Sequence, residues 1–273
     1  MLHFDEYLRK KKEEKGYLFM PYLAIGDPDW ETSIHIVDEL IEAGADSIEL
    51  GLPFTDPVAD GPVLQRAFHR VLSRPFSMQK YFSFIETIHK KHPEFPFMVM
   101  GYANIFYKYG FAKIFNKLAS YNVRAVIIPD IPIEEKVRFI KDKDIKESLN
   151  RVAWVDFITP TTTEDRVNLI CKNASGFLYF VSTKGVTGQS EFNLKPWNKL
   201  LQATRKKSPV PVIIGFGIRN KQHVEESCKM ADGFIIGSRI HEIIEENMHS
   251  QKKICQSIRK EIKSLLPEKK LAT

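Results

Sequence analysis

Cysteine is scarce in this sequence: Cys171, Cys228 and Cys255 lie far apart, and no CxxC pair occurs. That spacing argues against a disulfide framework and a structural zinc site, and it suits a reducing cytoplasm. The eight histidines form no HExxH or HxH pair, so no metal site is signalled. No apolar run reaches the length of a membrane span, and the opening MLHFDEYLRKKKEEK reads as a charged helix rather than a cleavable leader. With no long Gly/Ser or Pro-rich linker and no close repeat, the expectation is one domain over residues 1–273. The net charge of +6 lies largely in runs that also carry Glu, such as Arg9 to Lys15 and Lys252 to Lys270. These read as solvated helix faces, which makes a nucleic-acid-binding module a minor alternative and leaves a small anionic substrate compatible.

What is present is an alternation of short apolar runs with amphipathic stretches. Strands are expected at 17–24, 47–50, 97–102, 125–128, 152–158, 176–181, 209–215 and 233–236, with Pro21 bending the first. Helices are expected between them, at 29–43, 63–72, 77–91, 111–120, from about Glu134, and at 163–173. The charged run 141–147 fits either a helix end or an exposed loop. Eight strands, each followed by helix, predict an α/β fold: a single (β/α)8 TIM barrel with an extra N-terminal helix. An open doubly wound sheet is the runner-up.

The stretch SIELGLPFTDPVADGPVLQ, residues 47–65, concentrates the chemistry. Glu49 sits in an apolar strand, where a carboxylate is costly to desolvate. Pro53, Pro57 and Pro62 stiffen the following loop, which carries Asp56 and Asp60. Two readings fit: Glu49 and Asp60 divide acid and base work across a small substrate, or Glu49 pairs with a cation and the loop is a solvated connector. Barrel ligands bind at the C-terminal strand ends, where Tyr102, Asp130 and Tyr179 also fall. The glycines of GVTG (185–188), GFG (215–217) and Gly237 with Ser238 suit a phosphate cradle. The polar stretch 182–195 reads equally as a lid or as a plain surface loop. Phe54, Tyr102, Ile127, Phe216 and Ile235 form a candidate apolar wall.

The segments PYLAIGDPD, ADSIELGLPFTDPVADGPVLQRA, GYAN, IIPDIPIEE, PTTTEDR, FVSTKGVTG, IIGFGI and FIIGSRI run through nearly the whole chain. In that order they resemble the tryptophan synthase alpha subunit family. The resemblance implies a lyase of tryptophan biosynthesis that cleaves indole-3-glycerol phosphate to indole and glyceraldehyde 3-phosphate, with no cofactor in this chain. It implies Glu49 as catalytic acid/base and Asp60 as the carboxylate on the indole N–H. Tyr179 would lie near the glycerol, with Tyr102 also lining the substrate. Gly188, Gly217, Gly237 and Ser238 would hold phosphate beside Phe216, and Thr187 would close on Asp60. It also implies a cytoplasmic α2β2 heterotetramer, in which a pyridoxal phosphate-dependent beta subunit receives indole and touches Pro53, Asp56 and Pro57.

Four residues depart from the family pattern: Thr183, Asn122, Arg124 and Arg239. Arg239, directly after Ser238, is expected either to attract phosphate or to crowd it. A different phosphosugar barrel, such as an isomerase or epimerase, would share the glycines without needing the Glu49 and Asp60 pair. A non-catalytic subunit that only activates its partner would not need Glu49 at all.

Overall fold

The computed structural model describes residues 3–181, 192–215 and 217–267. Helix α1 (Phe4–Lys15) precedes strand β1 (Leu18–Ala24), α2 (Trp30–Glu42) and β2 (Ile48–Gly51). Two helices, α3 (Pro62–Leu72) and α4 (Met78–Lys91), lead to β3 (Phe97–Met100). Then come α5 (Ala103–Tyr109), α6 (Phe111–Ala119), β4 (Val123–Ile127), α7 (Ile133–Phe139), α8 (Lys143–Ser148) and β5 (Ala153–Ile158). The chain continues through α9 (Glu164–Asn173), β6 (Leu178–Val181), α10 (Asn198–Lys207), β7 (Val212–Gly215), α11 (Lys221–Met230) and β8 (Gly233–Ile236). Helices α12 (Ser238–Glu246) and α13 (Gln251–Leu265) follow.

Every strand pair is parallel, and β8 returns to β1 with Leu18 opposite Gly233 and Pro21 opposite Ile236. The sheet is therefore a closed barrel in chain order, as the alternation predicts. The expected bend at Pro21 does not interrupt β1, which runs unbroken over seven buried residues. The charged run at 141–147 resolves into α8, whose N-terminus is capped by the Asp142 carboxylate accepting from the N–H groups of Asp144 and Ile145. Helix α5 was not expected. Its first N–H, on Ala103, donates to the Asp130 carboxylate at 2.9 and 3.2 Å, so its cap comes from a loop 27 residues away.

Strand alternation sorts the side chains into two layers. Phe19, Leu23, Ile48 and Leu50 pack outward against the helices, while Met20, Tyr22, Met98, Met100, Ile127, Tyr179 and Ile235 fill the interior. Phe4 and Leu8 of α1 join the interior set, so this helix seals the N-terminal end of the barrel. Glu49 shares the inward face of β2 with Gly51, two residues on. A side chain at Gly51 would put its Cβ 2.1 Å from the Tyr22 hydroxyl, and one at Gly215 would sit 2.1 Å from the Tyr179 ring. Two tyrosines thus occupy the space these glycines leave open.

Candidate active site

A cavity of about 240 Å³ opens among the C-terminal strand ends. Glu49, Asp60 and Tyr179 line it, with Gly217, Gly237 and Ser238 at another part of its wall. Ile127 and Ile235 supply apolar lining as expected. Phe54 instead stacks on Tyr102 at 5.1 Å between ring centres, behind the wall. Thr183, Thr187, Gly188 and Phe216, together with most of the expected lid, lie outside the described residues.

Asp60 is held from three sides. Pro62 at the first position of α3 ends the loop and starts the helix with a preset φ. The Tyr102 hydroxyl donates to Asp60 Oδ2 at 2.6 Å and accepts from the Ala59 N–H at 3.1 Å. Gln65 Nε2 donates to the Asp60 carbonyl at 2.9 Å. Glu49, by contrast, is 2% exposed, and its Oε2 has no hydrogen-bond partner. Among the described residues no Lys or Arg forms an ion pair with it, which removes the structural reading of this carboxylate.

Burial, and then the nearby Asp60, push the Glu49 carboxyl up to about 8. Burial also raises Asp60, against the Tyr102 hydrogen bond, to about 6. Near neutrality Glu49 holds its proton while Asp60 is largely ionised. One buried acid and one buried carboxylate therefore face the same space, as separate acid and charge-stabilising roles require. Burial and the two carboxylates keep the phenols of Tyr22 and Tyr179 protonated.

Gly237 caps the N-terminus of α12 with no side chain over its backbone, and Ser238 opens the helix. Gly217 turns with φ +81°. These backbone groups suit an anion. Arg219 is the one cation among the described lining residues, and its Nη2 is 2.9 Å from Glu242 on α12. Neither expectation for Arg239 holds. Its Nε donates to Glu261 at 2.9 Å, and Nη1 lies near Glu246 and Glu242, because one step around the helix turns it away from Ser238.

A buried network braces the same end of the barrel. The Ala24 N–H donates to His241 Nε2 at 3.0 Å, so His241 Nδ1 carries the proton and donates to Asp27 Oδ2 at 2.8 Å. Arg70 of α3 grips both oxygens of Asp27 at 2.7 and 2.8 Å and reaches Glu245 of α12 at 2.6 Å. The end of β1, the helix after Asp60 and the helix after Ser238 are thereby tied together. Tyr22, Arg219, Asp27 and His241 escaped the sequence reading. The alternation within β1, which turns Tyr22 inward with Met20, is the signal that could have found the first of them.

The expected partner-contact residues divide. Pro53 and Pro57 are buried within the loop of this chain. Asp56 is exposed, as is Val58, at 71%.

The family profile described as Tryptophan synthase alpha chain matches residues 8–269. The tryptophan synthase alpha chain of Leptospira borgpetersenii is 39% identical over 242 residues, which are 88% of this chain and 90% of the relative. That of Hydrogenovibrio crunogenus is 34% identical over 258 residues, 94% of this chain and 93% of the relative. The crystal structure of the alpha subunit from Legionella pneumophila superposes with a TM-score of 0.85 at 28% identity, covering 97% of each chain. With a barrel of the same topology and matches that run nearly end to end, the chain belongs to the tryptophan synthase alpha chain family.

Proposed function

We propose that this chain cleaves indole-3-glycerol phosphate to indole and glyceraldehyde 3-phosphate, acting as a carbon–carbon lyase in tryptophan biosynthesis. The observation that carries the reading is the buried Glu49 with an unpartnered oxygen, sharing a cavity with the buried Asp60, its carboxyl raised further than that of Asp60. Glu49 gives its proton to indole C3, which makes the ring an indoleninium cation. Asp60 accepts a hydrogen bond from the ring N–H and stabilises that charge. The Glu49 carboxylate then takes the proton of the glycerol hydroxyl on the carbon next to the ring. The C–C bond breaks, its electron pair returns to the ring, and the oxygen becomes the aldehyde carbonyl. Indole is restored and Glu49 ends as it began, protonated.

Gly217, Gly237 and Ser238 receive the phosphate, with Arg219 beside them supplying positive charge. Tyr179 lines the glycerol region, and Tyr102 orders Asp60. By family position Thr187, Gly188 and Phe216 complete the set. The partner is a beta subunit holding pyridoxal phosphate. A Pyrococcus furiosus relative, 28% identical with a TM-score of 0.81, is described in a tryptophan synthase α2β2 complex. Asp56 and Val58 supply part of the face toward such a partner. A cytoplasmic site of action accords with this role, and no helix among the described residues is long and apolar enough to cross a membrane.

The test is indole release from indole-3-glycerol phosphate by wild type and Glu49→Gln, each with and without a beta subunit. Wild-type turnover that the substitution abolishes supports the lyase. No turnover by wild type in either condition, with the beta reaction raised equally by both proteins, leaves a non-catalytic partner subunit.

A further inference from the structure

Among the described residues, two buried polar atoms in the cavity lack any hydrogen-bond partner: Glu49 Oε2 and the Tyr22 hydroxyl. Their residues face each other across neighbouring strands, since Tyr22 and Glu49 are directly paired in register. Even so, the two groups do not bond to each other. A buried polar group left without a partner is costly, so each of these is poised for a ligand.

The two needs are complementary. Tyr22 offers an O–H and keeps it, because burial and the neighbouring carboxylates hold the phenol protonated. Glu49, once it has protonated the ring, is an acceptor. A hydroxyl can donate and accept at once, so one substrate hydroxyl satisfies both. Position selects which one. The Cβ of Tyr22 would lie 3.1 Å from a Cβ built on Gly237 at the anion-binding end, while its hydroxyl reaches Gly51 on the strand of Glu49. Tyr22 therefore spans the stretch between phosphate and ring, which in this substrate is the glycerol.

We propose that the Tyr22 hydroxyl donates a hydrogen bond to the glycerol oxygen that Glu49 deprotonates, and stabilises negative charge on it as the C–C bond breaks. The proton of that oxygen passes to Glu49, the C–C electron pair returns to the ring, and the C=O bond forms. Tyr22 keeps its own proton throughout. The assignment rests on the lyase reading above and adds a third participating group to it. Gly51 belongs to the same arrangement, because any side chain there would displace the phenol.

The experiment is Tyr22→Phe, which keeps the ring and deletes only the hydroxyl. Its kcat for indole release is expected to fall about tenfold with KM little changed, the size of a lost neutral hydrogen bond made in the transition state. The inhibition constant of indole-3-propanol phosphate, which has no glycerol hydroxyls, is expected to stay the same. The pH profile should keep its shape, since the phenol does not titrate there. Unchanged kcat in an active wild-type background overturns the inference and leaves the lyase reading standing. So does an equal loss of affinity for the hydroxyl-free analogue, which would make Tyr22 a wall of the cavity only. A wild type that releases no indole overturns both.

Discussion

The Tyr102 hydroxyl donates to Asp60 Oδ2 at 2.6 Å from the strand end next to Glu49, and it is the contact that holds Asp60 below where burial alone would push it. Removing it with Tyr102→Phe moves the acid upward from about 6. The acid limb of kcat/KM for indole release should shift to higher pH by a comparable amount. Loss of activity should then be larger at pH 6 than at pH 8. A pH–rate profile of the variant checks this, and an unshifted limb would count against Asp60 acting in its ionised form.

In the wild type, the two carboxyls set a bell. Activity that needs ionised Asp60 rises through about 6, and activity that needs protonated Glu49 falls as pH passes about 8. The two values belong to the coupled pair, so the profile should be fitted as two apparent constants. A flat profile between pH 5 and 9 contradicts the assignment.

Glu49 also predicts a stability effect with a definite sign. Its folded value of about 8 lies above the ordinary 4.5, so between these limits the folded chain retains a proton that the unfolded chain releases. Folding stability therefore decreases as pH rises through that window. Glu49→Gln removes the dependence. Its Tm relative to wild type should climb from pH 4.5 to pH 8, while indole release falls at least a hundredfold. Calorimetry at the two ends of the range gives the first quantity and the indole assay the second.

Arg219 and Arg239 separate by role although both are arginines near Ser238. Arg219→Ser should raise KM for the phosphorylated substrate roughly fivefold and flatten its dependence on ionic strength, with kcat little altered. Arg239→Ala should leave KM where it was, since its guanidinium is committed to Glu261 and Glu246. Steady-state kinetics at two salt concentrations distinguishes them.

His241 bridges the Ala24 N–H and Asp27 with no exposure to solvent. His241→Leu strands a buried N–H and removes one partner of a buried carboxylate, at a cost of about 2–4 kcal/mol. Urea unfolding measures this. Arg70 still holds Asp27, so the variant should fold.

The barrel was readable because parallel strands buried on both faces read as short apolar runs. Glu49 stood out for the opposite reason, as a charge within such a run. Tyr22 did not, because a tyrosine in an apolar strand looks like ordinary core, and its missing partner shows only in three dimensions. Helix α5 was hidden by its distant cap on Asp130, and Arg239 was misjudged because its partner Glu261 lies 22 residues on, on α13. Pro53 and Pro57 are buried in a loop that leaves Asp56 and Val58 exposed. Local pattern carried the elements; partners remote in sequence decided what each polar group does.

Helix α1 gives the barrel a floor, with Phe4 and Leu8 set into its interior layer. Among the described residues the cavity therefore lies toward the opposite end, beside the loop of Asp56 and Val58. A protein docked over that face would lie beside the cavity that holds Glu49 and Asp60.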